Sequence, residues 1–333
     1  MCLLTGASGF IGGYLARRLA DEGYRVRCLV RESSDTSALE AIDVELARGD
    51  LTDANSLIAA AEGCRFVIHC GALVSDWATI EEIKRVNVVG TRNVLEAATA
   101  VSAERFVHVS TTDVYGHPGR PGIDEDYVWA AFSNWYSETK RAAEAEVRRV
   151  ERARGLNVVI LRPATVYGPR SKDVVGDIAR AICARQMLVV DGGRAVAGLL
   201  YIENLVDGAV LALQGDAALG EAFNLSDGVD ITWKRFLADL AEGIGCPAPR
   251  WSLPYSVAFG LAFGFEHGYR LLRRVVRVKT RPLLSRQAVH VLGRDQDFSN
   301  RKAIETLGWV PRVSYQDGLA ATLDWLREEY LAG

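Results

Sequence analysis

Short apolar runs rich in β-branched residues alternate with segments of helical period over the first half of the chain. Residues 2–5, 25–30, 44–47, 66–70, 105–110 and 158–162 read as strands, and 10–20, 54–61, 80–99 and 135–152 as helices. Strand–helix alternation predicts an α/β fold, a doubly wound parallel sheet with helices on both faces. Ligands of such sheets bind beyond the carboxyl ends of the strands. After about residue 168 the rhythm loosens. A helix is expected over 174–185, a strand and helix over 198–213, a short strand at 222–225 and a closing helix at 315–330, while 243–282 fits no simple period. We read 1–168 as the main domain and 169–333 as a smaller lobe, of which about 198–226 returns to the main sheet.

Composition narrows the class. The chain has 333 residues, 49% of them hydrophobic and 24% charged, enough for a sizeable core. A net charge of −3 gives no overall electrostatic case for nucleic acid. No apolar run approaches the roughly 18 residues of a membrane span. The chain enters a glycine-rich turn directly after Met1 to Leu4, without the pattern of a signal peptide. Six cysteines without a CxxC are expected to be reduced, mostly buried thiols of a cytoplasmic protein. Five histidines show no ligand spacing, so no metal is expected. His69 and His108 read as core residues.

The candidate chemistry sits at strand ends. Thr5-Gly6-Ala7-Ser8-Gly9-Phe10-Ile11-Gly12 joins the first strand to the first helix. Glycines there allow a tight turn and a close approach to a pyrophosphate, which the helix N-terminus attracts. Arg31 follows the second strand, where an acidic residue would select NAD. An arginine pairs with a 2′-phosphate instead, so NADP(H) is favoured and NAD(H) is the alternative. Tyr136 and Lys140 lie four apart on one helix face, and an ammonium there is expected to lower the phenol pKa.

TGASGFIG, Asp50-Leu51, Asn87 within RVNVVGTRN, STTDVYG, YSETK and RPATVYGP together resemble the extended short-chain dehydrogenase/reductase superfamily. The branch they resemble is that of 3β-hydroxysteroid dehydrogenases and dihydroflavonol reductases. The resemblance implies a Rossmann-type core, with 1–168 as the NAD(P)-binding domain, and an NAD(P)-dependent oxidoreductase with Tyr136 as acid and base, Lys140 on the nicotinamide ribose and the Thr111 hydroxyl assisting; Ser110 and Thr112 are fallbacks. It implies cofactor contacts from Gly6, Ser8, Gly9, Phe10, Ile11 and Gly12 to the pyrophosphate, and from Asp50 and Leu51 to adenine. Gly71 and Ala72 would pass near the cofactor, and Pro163, Ala164 and Val166 would pack along the nicotinamide. Asn87 would steady the active-site backbone.

The triplet Thr111-Thr112-Asp113 lacks the acidic pair of sugar dehydratases, and Asp113 reads as a turn cap. The aromatic-rich 251–282 segment suits a sterol-, polyketide- or lipid-like ketone. A nucleotide-sugar 4-epimerase with tightly bound NAD is the alternative that Arg294 leaves open. A non-catalytic nicotinamide sensor is a further one, disfavoured by the retained Tyr–Lys pair. Arg270, Arg273, Arg274, Arg277 and Arg281 fall on one helical stripe, read as a solvated face or as a weak membrane-surface contact. The resemblance also implies a homodimer through helices 80–99 and 135–152.

Overall fold

A computed structural model describes residues 1–331 except 76, 130–134 and 276–283, and only the backbone of 270–275. Eleven strands are found among them: β1 Cys2–Thr5, β2 Val26–Val30, β3 Glu45–Arg48, β4 Phe66–His69, β5 Arg105–Val109, β6 Val158–Pro163, β7 Thr165–Tyr167, β8 Val189–Val190, β9 Leu199–Tyr201, β10 Ala222–Leu225 and β11 Ser252–Leu253. The helices are α1 Phe10–Asp21, α2 Ala54–Ala61, α3 Ile80–Lys84, α4 Gly90–Ala100, α5 Trp135–Arg154, α6 Asp177–Cys183, α7 Ile202–Gln214, α8 Trp233–Gly243, α9 Tyr255–Val275, α10 Arg286–Gly293, α11 Arg301–Leu307 and α12 Tyr315–Trp325.

Seven parallel strands form the main sheet in the order β10-β6-β5-β4-β1-β2-β3. The two-residue period of a strand builds both faces of its core. Val159 and Leu161 of β6 pack with Leu15 and Leu19 of α1 and Leu205 of α7, whereas Val158 and Ile160 face Leu57 of α2, Leu95 of α4 and Val147 of α5. Leu95 and Val147 are thus consumed inside the chain. Strand order reverses between β1 and β4, and this switch point is where a doubly wound sheet opens a crevice. β7 and β9 make a separate two-stranded sheet, while β10 joins the main sheet beside β6.

Three readings of the sequence need correction. The helix expected over 80–99 runs through a π turn at Arg85–Val89 between α3 and α4, because Asn87 is drawn sideways to the loop after β4. The segment without a period contains the 21-residue α9. Up to Tyr269 its exposed positions are mostly apolar, with only Ser256 and His267 polar among them, and the arginines of the stripe begin only at 270. The cysteines are not all free thiols: Cys183 at the end of α6 and Cys246 after α8 form a disulfide, with Cα atoms 5.2 Å apart. The two lie 63 residues apart in sequence, and only the packing of α6 against α8 brings them together. Cys2, Cys28, Cys64 and Cys70 are free. The arginine stripe lies outside the described residues, in that the side chains of Arg270, Arg273 and Arg274, and Arg277 and Arg281 entirely, are not described.

Candidate active site

The glycine turn is a close-packed cradle. Gly6 has φ +74°, and a Cβ on it would stand 2.7 Å from the Gly71 nitrogen; one on Gly12 would stand 2.0 Å from the Gly6 oxygen. The first pair locks the ends of β1 and β4 together at the switch point, and the second seats α1 on the turn. No side chain caps α1 at Gly9, and its first turn contains no acid. The positive end of the helix is therefore left to a ligand. Ser8, Phe10 and Ile11 are half-buried there. This uncapped, glycine-lined helix start fits the diphosphate of a dinucleotide.

The remaining cofactor candidates border the same crevice. β2 ends at Val30, so Arg31 is the first residue beyond it, exposed, with its carbonyl accepting from Arg48 Nη1 at 3.0 Å. The Asp50 carboxylate turns back on Thr52, accepting from its N–H at 2.8 Å and its hydroxyl at 2.6 Å. These bonds hold its pKa below the usual range, with Arg31 and Arg85 contributing more weakly. Leu51 fills the space above Gly71 and Gly90. Asn87 is buried and committed to the backbone: it accepts from Leu73 N at 2.7 Å, and donates to Leu73 O at 3.1 Å and to Thr139 Oγ1 at 3.3 Å. It thereby ties the loop carrying Gly71 and Ala72 to α5. Pro163 closes β6, Ala164 donates to Leu225 O at 2.9 Å, and Val166 lies on β7.

Tyr136 and Lys140 both lie on the first turns of α5. Lys140 is 3% exposed and donates to the Val109 carbonyl at 2.8 Å, at the end of β5. Burial lowers its pKa to about 8 against the opposing pull of Cys70 and Glu144. The Tyr136 phenol is pushed up instead of down, first by burial, then by the Asp113 carboxylate and Cys70. Lys140 is not among the groups that shift it, so the lowering expected from the Tyr–Lys spacing is not found. Thr111 is half-buried at the mouth of β5, where its hydroxyl accepts from Asp113 N at 3.2 Å. The fallback Ser110 is otherwise engaged: its hydroxyl donates to Glu144 at 2.5 Å. Thr112 is 4% exposed.

Two groupings escaped the sequence. Beneath the STTDVYG turn, Glu144 receives two bonds from Arg162 at 3.0 and 2.7 Å, and Arg162 also donates to Tyr115 Oη at 2.8 Å. This buried pair joins α5, β6 and the turn. Above the turn, Gln287 of α10 donates to Asp113 Oδ2 at 3.0 Å and stands 3.1 Å from His117 Nε2. Gln296 spends its amide nitrogen on Arg294 O, so its oxygen, 2.9 Å from His117 Nδ1, requires the proton on Nδ1. Burial holds Asp113 above the usual carboxylate range, against the pull of His117. Asp113 thus does more than cap a turn: it accepts from Gln287 of α10, and its charge acts on Tyr136. The only local signal was an acid beside VYG. Arg294 stacks its guanidinium on Tyr255 at 4.4 Å. Among the described residues no cluster of ligands could hold a metal.

A family model described as NAD dependent epimerase/dehydratase family matches residues 2–226. The chain is 33% identical over 322 residues to 4-hydroxy-2-methyl-3-oxo-4-farnesyl-3,4-dihydroquinoline-1-oxide ketoreductase of Stigmatella aurantiaca, covering 96% of this chain and 94% of that protein. It is 31% identical to 2-alkyl-3-oxoalkanoate reductase of Stenotrophomonas maltophilia, covering 95% and 96%. The crystal structure of gox2253 superimposes with a TM-score of 0.82 at 28% identity, covering 98% of each chain.

Proposed function

The chain belongs to the NAD dependent epimerase/dehydratase family and is an NAD(P)-dependent oxidoreductase of the short-chain dehydrogenase/reductase type; we propose that it interconverts a ketone and a secondary alcohol on a hydrophobic, lipid-like substrate. The observation that carries this reading is the helix face of Tyr136 and Lys140, with Lys140 anchored on Val109 O at the end of β5 and Thr111 two residues further on. The nicotinamide supplies or accepts the hydride when bound.

In reduction, Tyr136 Oη donates its proton to the ketone oxygen, and the Thr111 hydroxyl gives that oxygen a second hydrogen bond. Both bonds strengthen as negative charge grows on the oxygen, which is where they lower the barrier. Lys140 keeps a cation beneath the pair, and Asn87 holds the adjoining loop still. The raised phenol pKa keeps Tyr136 in its acid form and favours the reductive direction. Two relatives whose names record a ketoreductase of a farnesylated substrate and a reductase of a 2-alkyl-3-oxoalkanoate support a ketone on an apolar body. For the cofactor we propose NADP(H). Arg31 just beyond β2 and Arg48, the last residue of β3, give two exposed arginines at the edge where a 2′-phosphate would lie.

The test is oxidation of NADPH and NADH against a panel of long-chain β-keto acids, sterol ketones and aromatic ketones, with Tyr136→Phe as control. The expected result is turnover of an apolar ketone that drops by about 10²–10⁴-fold in Tyr136→Phe. Conversion of a nucleotide sugar by protein that retains unexchanged NAD would replace this reading with epimerisation. Intact cofactor binding without any turnover would replace it with a sensor.

A further inference from the structure

His69, the last residue of β4, is 1% exposed and lies just before the loop of Gly71 and Ala72. A neutral imidazole has one donor and one acceptor, so its neighbours decide which nitrogen carries the proton. Thr91 Oγ1 of α4 stands 2.9 Å from Nε2 and donates its only hydrogen to the Asn87 carbonyl at 2.6 Å. Towards the ring it can only accept, which puts the proton on Nε2. Nδ1 is then an acceptor, and it takes the hydroxyl hydrogen of Thr5, at the end of β1, at 2.7 Å. The Thr5 oxygen in turn accepts from Gly71 N at 3.2 Å. All the hydrogens point one way, from Gly71 N through Thr5, the ring and Thr91 to Asn87. Burial, helped by the Lys140 cation, lowers the His69 pKa to about 3 and keeps the ring neutral.

The relay ends where it began. The Asn87 side chain accepts from Leu73 N at 2.7 Å and donates to Leu73 O at 3.1 Å, in the loop that starts at Gly71. One circuit through β1, β4 and the π turn therefore fixes both ends of this loop. Gly6 leans on the same Gly71 nitrogen, with no room for a Cβ between them, so a shift there passes into the glycine turn. An apolar side chain at 69 would fill the core but would leave the Thr5 hydroxyl without its acceptor and Thr91 without its donor. We propose that His69 is a positioning residue for the dinucleotide, joining Thr5 and Thr91 so that the Gly71–Leu73 loop and the glycine turn are held as one unit. This rests on the reading that the cofactor lies along that loop. Bonds aligned in one direction strengthen one another, so the two threonines act together only while the ring joins them.

The test is a double-mutant cycle on the full chain, with nitrogen NMR of the native protein labelled at histidine. The spectrum is expected to show His69 as the Nε2–H tautomer from neutral pH down to about pH 5. Thr5→Val and Thr91→Val should each raise the Kd for NADPH or NADH, whichever binds tighter, by about threefold to tenfold. The double variant should exceed the larger single effect by less than about twofold. In a His69→Phe background the two effects should multiply, as those of independent sites do. At saturating cofactor, kcat should stay within about twofold in both single variants, since neither threonine belongs to the group that meets the ketone. An Nδ1–H tautomer overturns the proposal, and so do effects that multiply in the native background. Coupling seen in urea unfolding with an unchanged Kd overturns the positioning role, because the circuit would then serve the fold alone. The cycle is read on binding, so a failure of the ketone reading would show in turnover only and leave it intact.

Discussion

At the scale of single residues the site is governed by charge around Tyr136. Burial first, and then the nearby Asp113 carboxylate, disfavours the phenolate and holds the Tyr136 pKa up. Asp113→Asn removes that negative charge, so the phenol should lose its proton more easily. The basic limb of the reductive pH–rate profile should then move to lower pH by about one unit, and alcohol oxidation near neutrality should rise. Kinetics in both directions across pH check this; a limb that does not move would assign it to another group. Lys140 supplies a second limb. Its pKa near 8 means that the cofactor-free protein loses this cation as pH rises through 8. NADPH affinity, followed by fluorescence, should weaken across that interval. Arg31 makes a cofactor argument of the same kind. Arg31→Glu should raise the KM for NADPH by about tenfold or more and leave that for NADH nearly unchanged, since only a 2′-phosphate needs the guanidinium.

At the scale of elements the sequence was most legible where period and turn chemistry agree. The six strands of the first half, the glycine turn and the helix of Tyr136 all follow from such agreement. The apolar alternation of 158–162 and Gly6 with its positive φ are local facts with local causes. What stayed hidden depended on contacts distant in sequence. Gln287 reaches Asp113 across 174 residues, and the pairing of Glu144 with Arg162 and the bond of Asn87 to Leu73, though 18 and 14 residues apart, join different elements that only the folded sheet brings together. The first part of helix α9 stayed hidden for a different reason: before the arginines that begin at 270 its exposed positions are mostly apolar, and little polar alternation reveals the period. The π turn carries its own prediction. Asn87→Ala would leave Leu73 N and O without their side-chain partners and release Thr139. Unfolding in urea should show a loss of about 1–3 kcal/mol. The KM for cofactor should rise as the loop of Gly71 loosens.

For the molecule as a whole, stability is tied to redox state and to pH. The Cys183–Cys246 link closes 63 residues of chain between α6 and the end of α8. Cys246→Ser should lower stability by about 2–4 kcal/mol in urea unfolding, and added reductant should do the same to the native protein only. The pH dependence follows from histidines buried in the neutral form. Burial lowers His69 to about 3 and His290 to about 4, and takes His108 well down as well. The unfolded chain binds protons at these sites near 6.5 while the folded chain refuses them. Their contribution is therefore complete above about 6.5 and is lost as pH falls toward 4 and 3. Asp227 acts in the opposite sense. Its folded pKa of about 6 lies above the ordinary 3.8, so the folded chain takes up its proton first, which adds stability as pH falls between those values. Burial raises Asp113 and Glu125 in the same sense as Asp227, whereas Asp50 and Glu146, held low by their hydrogen bonds, side with the three histidines, so the acid side loses. Tm should fall steeply between pH 6.5 and 4, and His69→Asn should flatten that slope while Asp227→Asn steepens it. A Tm that stays level to pH 4 would mean that the β4–β5 histidines can be protonated inside the fold, and that the centre of the sheet is wetter than its packing allows.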